Sequence, residues 1–478
     1  MPTLKRNAAA MAAAATATAI AAVAPLAPAS AQTPGATPPV KLASVKPEKL
    51  DFKVNTLKNG LKVITLEDHT APVVTVQVWY RVGSAEEPKG KGGFAHLFEH
   101  LMFKGSENVG PEQHSRYVEQ LGASYNADTS FDRTRYYETV PSNALERILF
   151  LEADRMASLR VDEANLKSER DVVKEEYRLR VANSPYGSLL TNVLAQVFPE
   201  GDPYAHPTIG SIPDLDAAQL AEVQAFHKDY YRPDNATLVL VGDFKTADAL
   251  KMVEKYFGRI PKSPDGAFKR IAPTPDTQEK ATRAVHYDKL APLPAVGLAY
   301  RLPAAKDPDI PALDVISQIL SAGQSSRLYR SLVRDKQLAV QASGGGLGLR
   351  YGGLYFFFAI ASPGKPPKDV EAALLSEVER LKAEKVSEAE LVKAKNQVLN
   401  DRVFGLVSTE GKANALGEAD LLYDDPGEVN RALEKIQRVT ADDIQRVARK
   451  YFANGRENVF YVLPESMKQQ AGEGGAAQ

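Results

Sequence analysis

The chain has 478 residues, 44% of them hydrophobic and 25% charged, an ordinary globular balance with room for about two or three domains. Lys plus Arg (59) nearly equals Asp plus Glu (60), so the charge gives no reason to expect nucleic acid or an acidic membrane as partner. There is no cysteine, which excludes disulfides, thiolate nucleophiles and Cys-ligated metal or iron–sulfur sites and leaves any metal to His, Asp and Glu.

The chain opens on Lys5 and Arg6, then an apolar, alanine-rich stretch from Ala8 to about Leu26, then the small-x-small pattern Ala29-Ser30-Ala31. This order predicts a signal peptide over residues 1–31, cleaved after Ala31, and an exported protein. The Ala-rich leader has a bacterial look, which points to the periplasm. A membrane anchor is the other reading of this stretch; weak hydrophobicity and the cleavage pattern favour the signal. No cysteine follows the cut to carry a lipid, and no later run reaches the roughly 18 apolar residues of a membrane span. Residues 32–48, rich in Pro, Thr, Ala and Lys, read as a flexible lead-in.

Asn59-Gly60 marks a tight turn before two strands, LKVITLE (61–67) and VVTVQVWYRV (73–82). GGFAHLFEHLMFKGS (92–106) has helical spacing, and SYNAD and TRYYETV read as short strands joined through TSFDR. Helical patterns follow at 142–158, 162–182 and 216–230, then a buried strand at 235–244 and a helix at 246–258. Apolar periodicity fades from residue 259, and 263–280 is the predicted linker between an N-terminal domain (49–262) and a C-terminal one (281–468), with a disordered tail at 469–478. In the second half AVGLAYRL is a strand, 309–321 a helix, LGLRYGGLYFFFAIA a strand pair, and 368–384 and 387–406 helices.

The halves end alike. LAEVQAFHKDYYRPDNATLVLVGD (220–243) is similar to ADDIQRVARKYFANGRENVFYVLP (441–464): a helix closing on paired aromatics, a polar turn, a hydrophobic strand. A repeat of about 200 residues is far longer than a solenoid unit and implies duplication of a whole domain. Strands mixed with long helices, without strict βαβ alternation, predict the α+β class.

Two of the seven histidines fall in HLFEH. On a helix His96 and His100 are at i and i+4 and share a face, so both imidazoles can reach one metal ion. Glu99 projects near the same side, where a general base would take a proton from water at the metal. The inverted HxxEH order is a peptidase motif. The plain alternative is core packing, and that reading does hold for Phe94, Leu97, Phe98, Leu101, Met102 and Phe103. A third ligand has candidates in ERDVVKEEYRLR (169–180), where Glu169 and Glu176 are two turns apart and face one way while Glu175 points about 100° aside. The same charges would equally suit a solvated helix.

With these motifs the chain resembles the pitrilysin/insulinase family of zinc metallopeptidases, in the branch of mitochondrial processing peptidase and its bacterial relatives. The resemblance implies Zn2+ held by His96, His100 and Glu176, the last 76 residues beyond His100 within the family's ERxVVxxE pattern. It implies Glu99 as catalytic base and Glu169 as a supporting glutamate that does not bind zinc. GASYNADTSFDRTRYYETVP (122–141) is similar to the family's edge strand, with Asn126 and Ala127 at the positions that contact the substrate backbone. It implies two homologous α/β-sandwich domains in a clam-like arrangement around a substrate chamber, and peptides or unstructured polypeptide segments as substrates.

One departure stands out. The family's second domain carries an Arg and a Tyr that help hold the substrate. In SSRLYRSLVRDKQLAVQASGG (325–345) Arg334 suits the Arg, but the Tyr position is Val340, which cannot donate a hydrogen bond. The expected assembly is therefore a heterodimer with a homologous subunit supplying the Arg/Tyr pair; a homodimer, or a monomer with a substitute residue, is the alternative. The rival function is a non-catalytic binding or assembly subunit.

Overall fold

The computed structural model describes residues 49–263, 268 and 270–468. The predicted signal peptide, lead-in and C-terminal tail lie outside the described residues, as do 264–267 and 269 of the predicted linker.

Two mixed sheets organise the chain. The first contains β1 (Lys53–Thr56), β2 (Lys62–Glu67), β3 (Val73–Tyr80), β4 (Ser124–Thr129), β5 (Thr134–Pro141) and β6 (Ala236–Gly242), in the order β1-β2-β6-β3-β5-β4. The second contains β7 (Thr282–Asp288), β8 (Ala295–Leu302), β9 (Ala339–Leu349), β10 (Gly352–Ala361) and β11 (Asn458–Pro464), in the order β7-β11-β8-β10-β9. Without β1 the two orders are the same. In each, the last strand of its half slots in parallel to the first (β6 beside β2, β11 beside β7) and antiparallel to the next. The repeat read from the two chain ends is thus a repeat of the whole sheet, and the fold is α+β with two related domains.

β3 shows why these strands form. Val74, Val76, Val78 and Tyr80 alternate onto one face and enter the first core with Phe94, Leu97, Phe98 and Leu101 of helix α1 (Phe94–Leu101). Thr75, Gln77 and Trp79 point the other way, yet they too are buried. The helix Thr409–Tyr423, from the second half, covers that face: Ala413, Leu416 and Leu421 pack on Ile64, Trp79, Val239 and Val241. Gly417 lies so close to Trp79 that a Cβ there would sit 2.2 Å from the indole. The buried carboxylate of Asp420 accepts from Lys62, Arg81 and Thr237 of the first sheet at 2.6–2.8 Å.

The exchange is reciprocal. Helix α5 (Leu189–Val197), from the first half, packs Val193, Leu194 and Val197 against Ala299, Leu354 and Phe460 of the second sheet. Neither α5 nor the helix 409–423 was anticipated by periodicity. The helix 409–423 lies under a foreign sheet and carries no apolar stripe, whereas α5 does carry one through Val193, Leu194 and Val197 but spans only nine residues.

Other differences are local. β9 begins at Ala339, eight residues before the expected strand pair. The helix expected at 162–182 divides into α4 (Glu163–Tyr177) and a π-helical turn (Arg178–Ala182), in which Asn183 N donates to Arg178 O at 2.7 Å. Its start is fixed by Asp162, whose side chain accepts from Asn165 N.

Candidate metal centre

Helix α1 is short and its position is set from its N-terminus. Gly93 takes a left-handed φ of 96°, a conformation that glycine enters freely. The free N–H groups of the first turn are claimed by one buried carboxylate: Glu87 accepts from Gly93 N at 2.9 Å and from Ala95 N at 2.7 Å. A carboxylate suits the positive end of the helix. On the opposite side Phe94, Leu97, Phe98 and Leu101 are anchored in the core. The remaining face, carrying His96, Glu99 and His100, is turned toward α4.

There the structure brings His96, His100 and Glu176 together. His96 Nε2 and His100 Nε2 lie 3.6 and 3.5 Å from the same Glu176 oxygen, Oε2, and all three donor atoms fall within 4.8 Å of one another. Ligands at zinc bond lengths of about 2.0–2.1 Å in a tetrahedron stand about 3.3 Å apart. The donor set and its spacing therefore fit a zinc ion with one position left open. Glu175, one residue earlier, turns away and pairs with Arg178 at 2.9 Å.

The electrostatics suit a cation. Burial, with the neighbouring His100, depresses His96 to about 4, so its imidazole is neutral and its lone pair available. Burial also works against a charge on His100, but the carboxylates of Glu169 and Glu176 outweigh it and hold the ring up to about 9. Glu176 sits at about 2: burial would raise it, but His100, His96 and Arg180 together overcome that. Three acidic side chains, Glu99, Glu169 and Glu176, thus face this pair of imidazoles, with Lys104 paired to Glu169 and Arg180 to Glu176.

Around the triad stands a second layer. Glu169 Oε2 is 3.5 Å from His100 Nδ1, and its other oxygen pairs with Lys104 at 3.0 Å. Arg180 Nη2 pairs with Glu176 Oε1 at 2.7 Å, leaving Oε2 directed at the histidines. Such partners fix the ring and carboxylate orientations of metal ligands. Glu99 is largely buried, which raises its carboxyl above the ordinary range, and its Oε2 accepts from Thr129 Oγ1 at 2.7 Å. Arg180 and Thr129 carried no role in the sequence reading. Arg180 is four residues beyond Glu176, a usable helical signal; Thr129 gives none, because its contact spans 30 residues.

The proposed substrate contacts divide. Among the described residues β4 pairs only with β5 and forms an edge of the first sheet. Asn126 is exposed on that strand, and its side-chain oxygen accepts from Ala127 N at 2.9 Å. Ala127 is buried in the first core. Arg334 is not brought to the triad: it is exposed in the π-helical segment Tyr329–Asp335 and pairs with the adjacent Asp335 at 2.7 Å. Val340 is half exposed on β9.

A second group with metal-like spacing, His114, Glu138 and Glu152, is fully buried. Its centre is already filled: the guanidinium of Arg155 reaches both carboxylates, with Nη2 at 3.3 Å from Glu138 Oε1 and Nε at 3.0 Å from Glu152 Oε2. It is a closed ionic cluster.

Comparison with known proteins adds to this geometry. Residues 62–210 match the family profile "Insulinase (Peptidase family M16)", and 217–398 match "Peptidase M16 inactive domain". The chain is 33% identical over 416 residues to the zinc protease PqqE of Helicobacter pylori, covering 86% of this chain and 92% of that one. It is 26% identical over 409 residues to a probable mitochondrial-processing peptidase subunit beta of Arabidopsis thaliana, covering 84% and 76% of the two chains. A crystal structure of a protease from Helicobacter pylori superposes with a TM-score of 0.83 at 31% identity, covering 87% of this chain and all of the other.

Proposed function

The chain belongs to the insulinase family, peptidase family M16, and from that premise we propose that it is a zinc-dependent metalloendopeptidase acting on peptides or unstructured polypeptide segments. The observation that carries the proposal is the convergence of His96 Nε2, His100 Nε2 and Glu176 Oε2 with Glu99 on the next residue of the same helix. When bound, zinc supplies Lewis-acid polarisation of the scissile carbonyl and of the attacking water.

The chain's own residues do the rest. An extended substrate pairs with the free edge of β4, where main-chain hydrogen bonds give affinity without strict sequence selection. Glu99 receives the proton of the attacking water and returns it to the leaving nitrogen as the C–N bond breaks. Its burial raises its pKa above that of an exposed glutamate. Glu169 and Lys104 hold His100, and Arg180 holds Glu176, so that the three ligand atoms stay converged.

The working form is proposed to be a heterodimer in the periplasm. Support comes from Val340, a side chain without a hydrogen-bond donor at the position where the resemblance implies a Tyr, and from the leader sequence; a homodimer is the alternative. Among the described residues no helix is long and apolar enough to cross a membrane. A non-catalytic binding subunit is the second reading, favoured by the "inactive domain" match of residues 217–398. That match begins beyond Glu176 and includes none of the triad. The test is metal content and cleavage of unstructured peptides by protein purified with any companion subunit. A Glu99→Gln variant that keeps zinc and cleaves at the wild-type rate would sink the mechanism. Full zinc occupancy with no hydrolysis would favour the binding subunit.

A further inference from the structure

The strand proposed to receive the substrate also holds the group proposed to move the proton. Tyr125 and Ala127 of β4 face the first core, so Thr129, at the same strand period, faces the same way. Its hydroxyl donates to Glu99 Oε2 at 2.7 Å, leaving Oε1 of Glu99 as the oxygen open to a proton.

Thr129 is itself held on all sides. It pairs with Thr134 across the β4–β5 hairpin. The turn that follows is closed by Ser130 N donating to Arg133 O at 2.8 Å. Ser130 and Phe131 accept from Ser84 N and Ala85 N at 3.2 and 2.9 Å. That segment leads directly into Glu87, the carboxylate that caps α1. Asp132, at the tip, accepts from Tyr204 Oη at 2.6 Å and from Arg350 N of the second half at 2.9 Å. The end of β4 and the start of α1 therefore share one rigid frame, and the hydroxyl is a fixed donor.

We propose that Thr129 is a positioning residue: its hydroxyl orients the Glu99 carboxylate to receive the water proton, and so ties the substrate-binding edge to the proton-transfer group. The inference rests on the reading of Glu99 as general base. In the step it serves, water oxygen bonds to the scissile carbon, the proton passes to Glu99 and then to the amide nitrogen, and the C–N bond breaks. A free carboxylate samples many rotamers, and a carboxylate held by a charge-assisted hydrogen bond keeps one. Because the donor sits on β4, a substrate aligned along that strand is also aligned with the base.

The test compares Thr129→Val, which keeps the shape and loses the donor, with Thr129→Ser, which keeps the donor. The full chain is tagged and purified from its own cells so that any companion subunit comes with it. The expected result for Thr129→Val is kcat lower by about ten- to a hundredfold, with KM and zinc stoichiometry unchanged. Thr129→Ser is expected to restore most of kcat. In crystal structures of the zinc-loaded proteins, the Glu99 carboxylate is expected to turn in the Val variant and to keep its orientation in the Ser variant. The inference is overturned if Thr129→Val keeps kcat and the Glu99 orientation, or if Val and Ser lose zinc and activity alike. A Glu99→Gln variant, with Thr129 intact, that keeps full activity overturns the general-base reading instead, and the crystal structures still decide whether Thr129 orients Glu99.

Discussion

Glu169 Oε2 lies 3.5 Å from Nδ1 of His100, while the other nitrogen of the same ring faces Glu176. The imidazole is therefore gripped between two carboxylates, one placed to share a metal and one placed to orient the ring. Replacing Glu169 by Gln keeps the shape and removes the charge. Zinc affinity is expected to fall by about 10- to 100-fold, read by competition with a chromophoric chelator. An unchanged affinity would mean that Glu169 does not orient the ligand.

The same contacts make zinc uptake depend on pH. His100 in the free protein titrates at about 9, so below that value zinc must displace a proton. Apparent affinity should rise about tenfold per pH unit between roughly pH 7 and 9 and level off above. Stability of the metal-free protein should move the other way. The raised His100 pKa contributes stability that is full below its unfolded value, near 6.5, and lost as pH rises through about 9. The lowered Glu176 contributes stability present above about 4.5 and lost as pH falls toward about 2. Thermal melts of chelator-treated protein across this range provide the check, with Glu176→Gln as the comparison.

Arg155 joins Glu138 and Glu152 in their buried cluster, and it stacks over Tyr136 at 4.3 Å. Burial already pushes Glu152 to about 8 and, with the Arg155 charge, His114 down to about 3. Arg155→Leu leaves Glu138 and Glu152 buried together with only His114 beside them and is expected to cost about 3–5 kcal/mol in denaturant unfolding. The triple change with Glu138→Gln and Glu152→Gln should recover much of it.

Gly417 meets Trp79 where a helix of the second half crosses the first sheet. Gly417→Ala forces the indole or the helix to shift and is expected to destabilise the protein by about 1–3 kcal/mol, by calorimetry. Asp420→Ala in the same contact takes the acceptor from Lys62 and Thr237 and leaves Arg81 only the carboxylate of Asp424, and it should cost more. Equal and negligible effects would mean that the two halves are not held by this crossing.

Much of this protein was determined locally. His96, Glu99 and His100 share a helix, and a helix fixes which residues share a face whatever surrounds it. The same holds for Glu169 and Glu176 on α4, for strands such as AVGLAYRL, observed at Ala295–Leu302, and for the repeated helix–turn–strand at the ends of the two halves. The family pattern pointed to Glu176 over Glu175 as partner of the histidines, and the packing of α4 on α1 is what turns Glu176 inward and leaves Glu175 on Arg178. Local rules could not bring Thr129 to Glu99 or Asp420 to Lys62 and Arg81, because those contacts join segments 30 to 358 residues apart and leave no periodicity in either. The helix 409–423 escaped for a related reason: it is wrapped by a sheet from the other half, so its burial follows from the tertiary fold and its own sequence carries no stripe. Sequence determines which side chains an element presents to one side; only the packing of elements decides what they meet there.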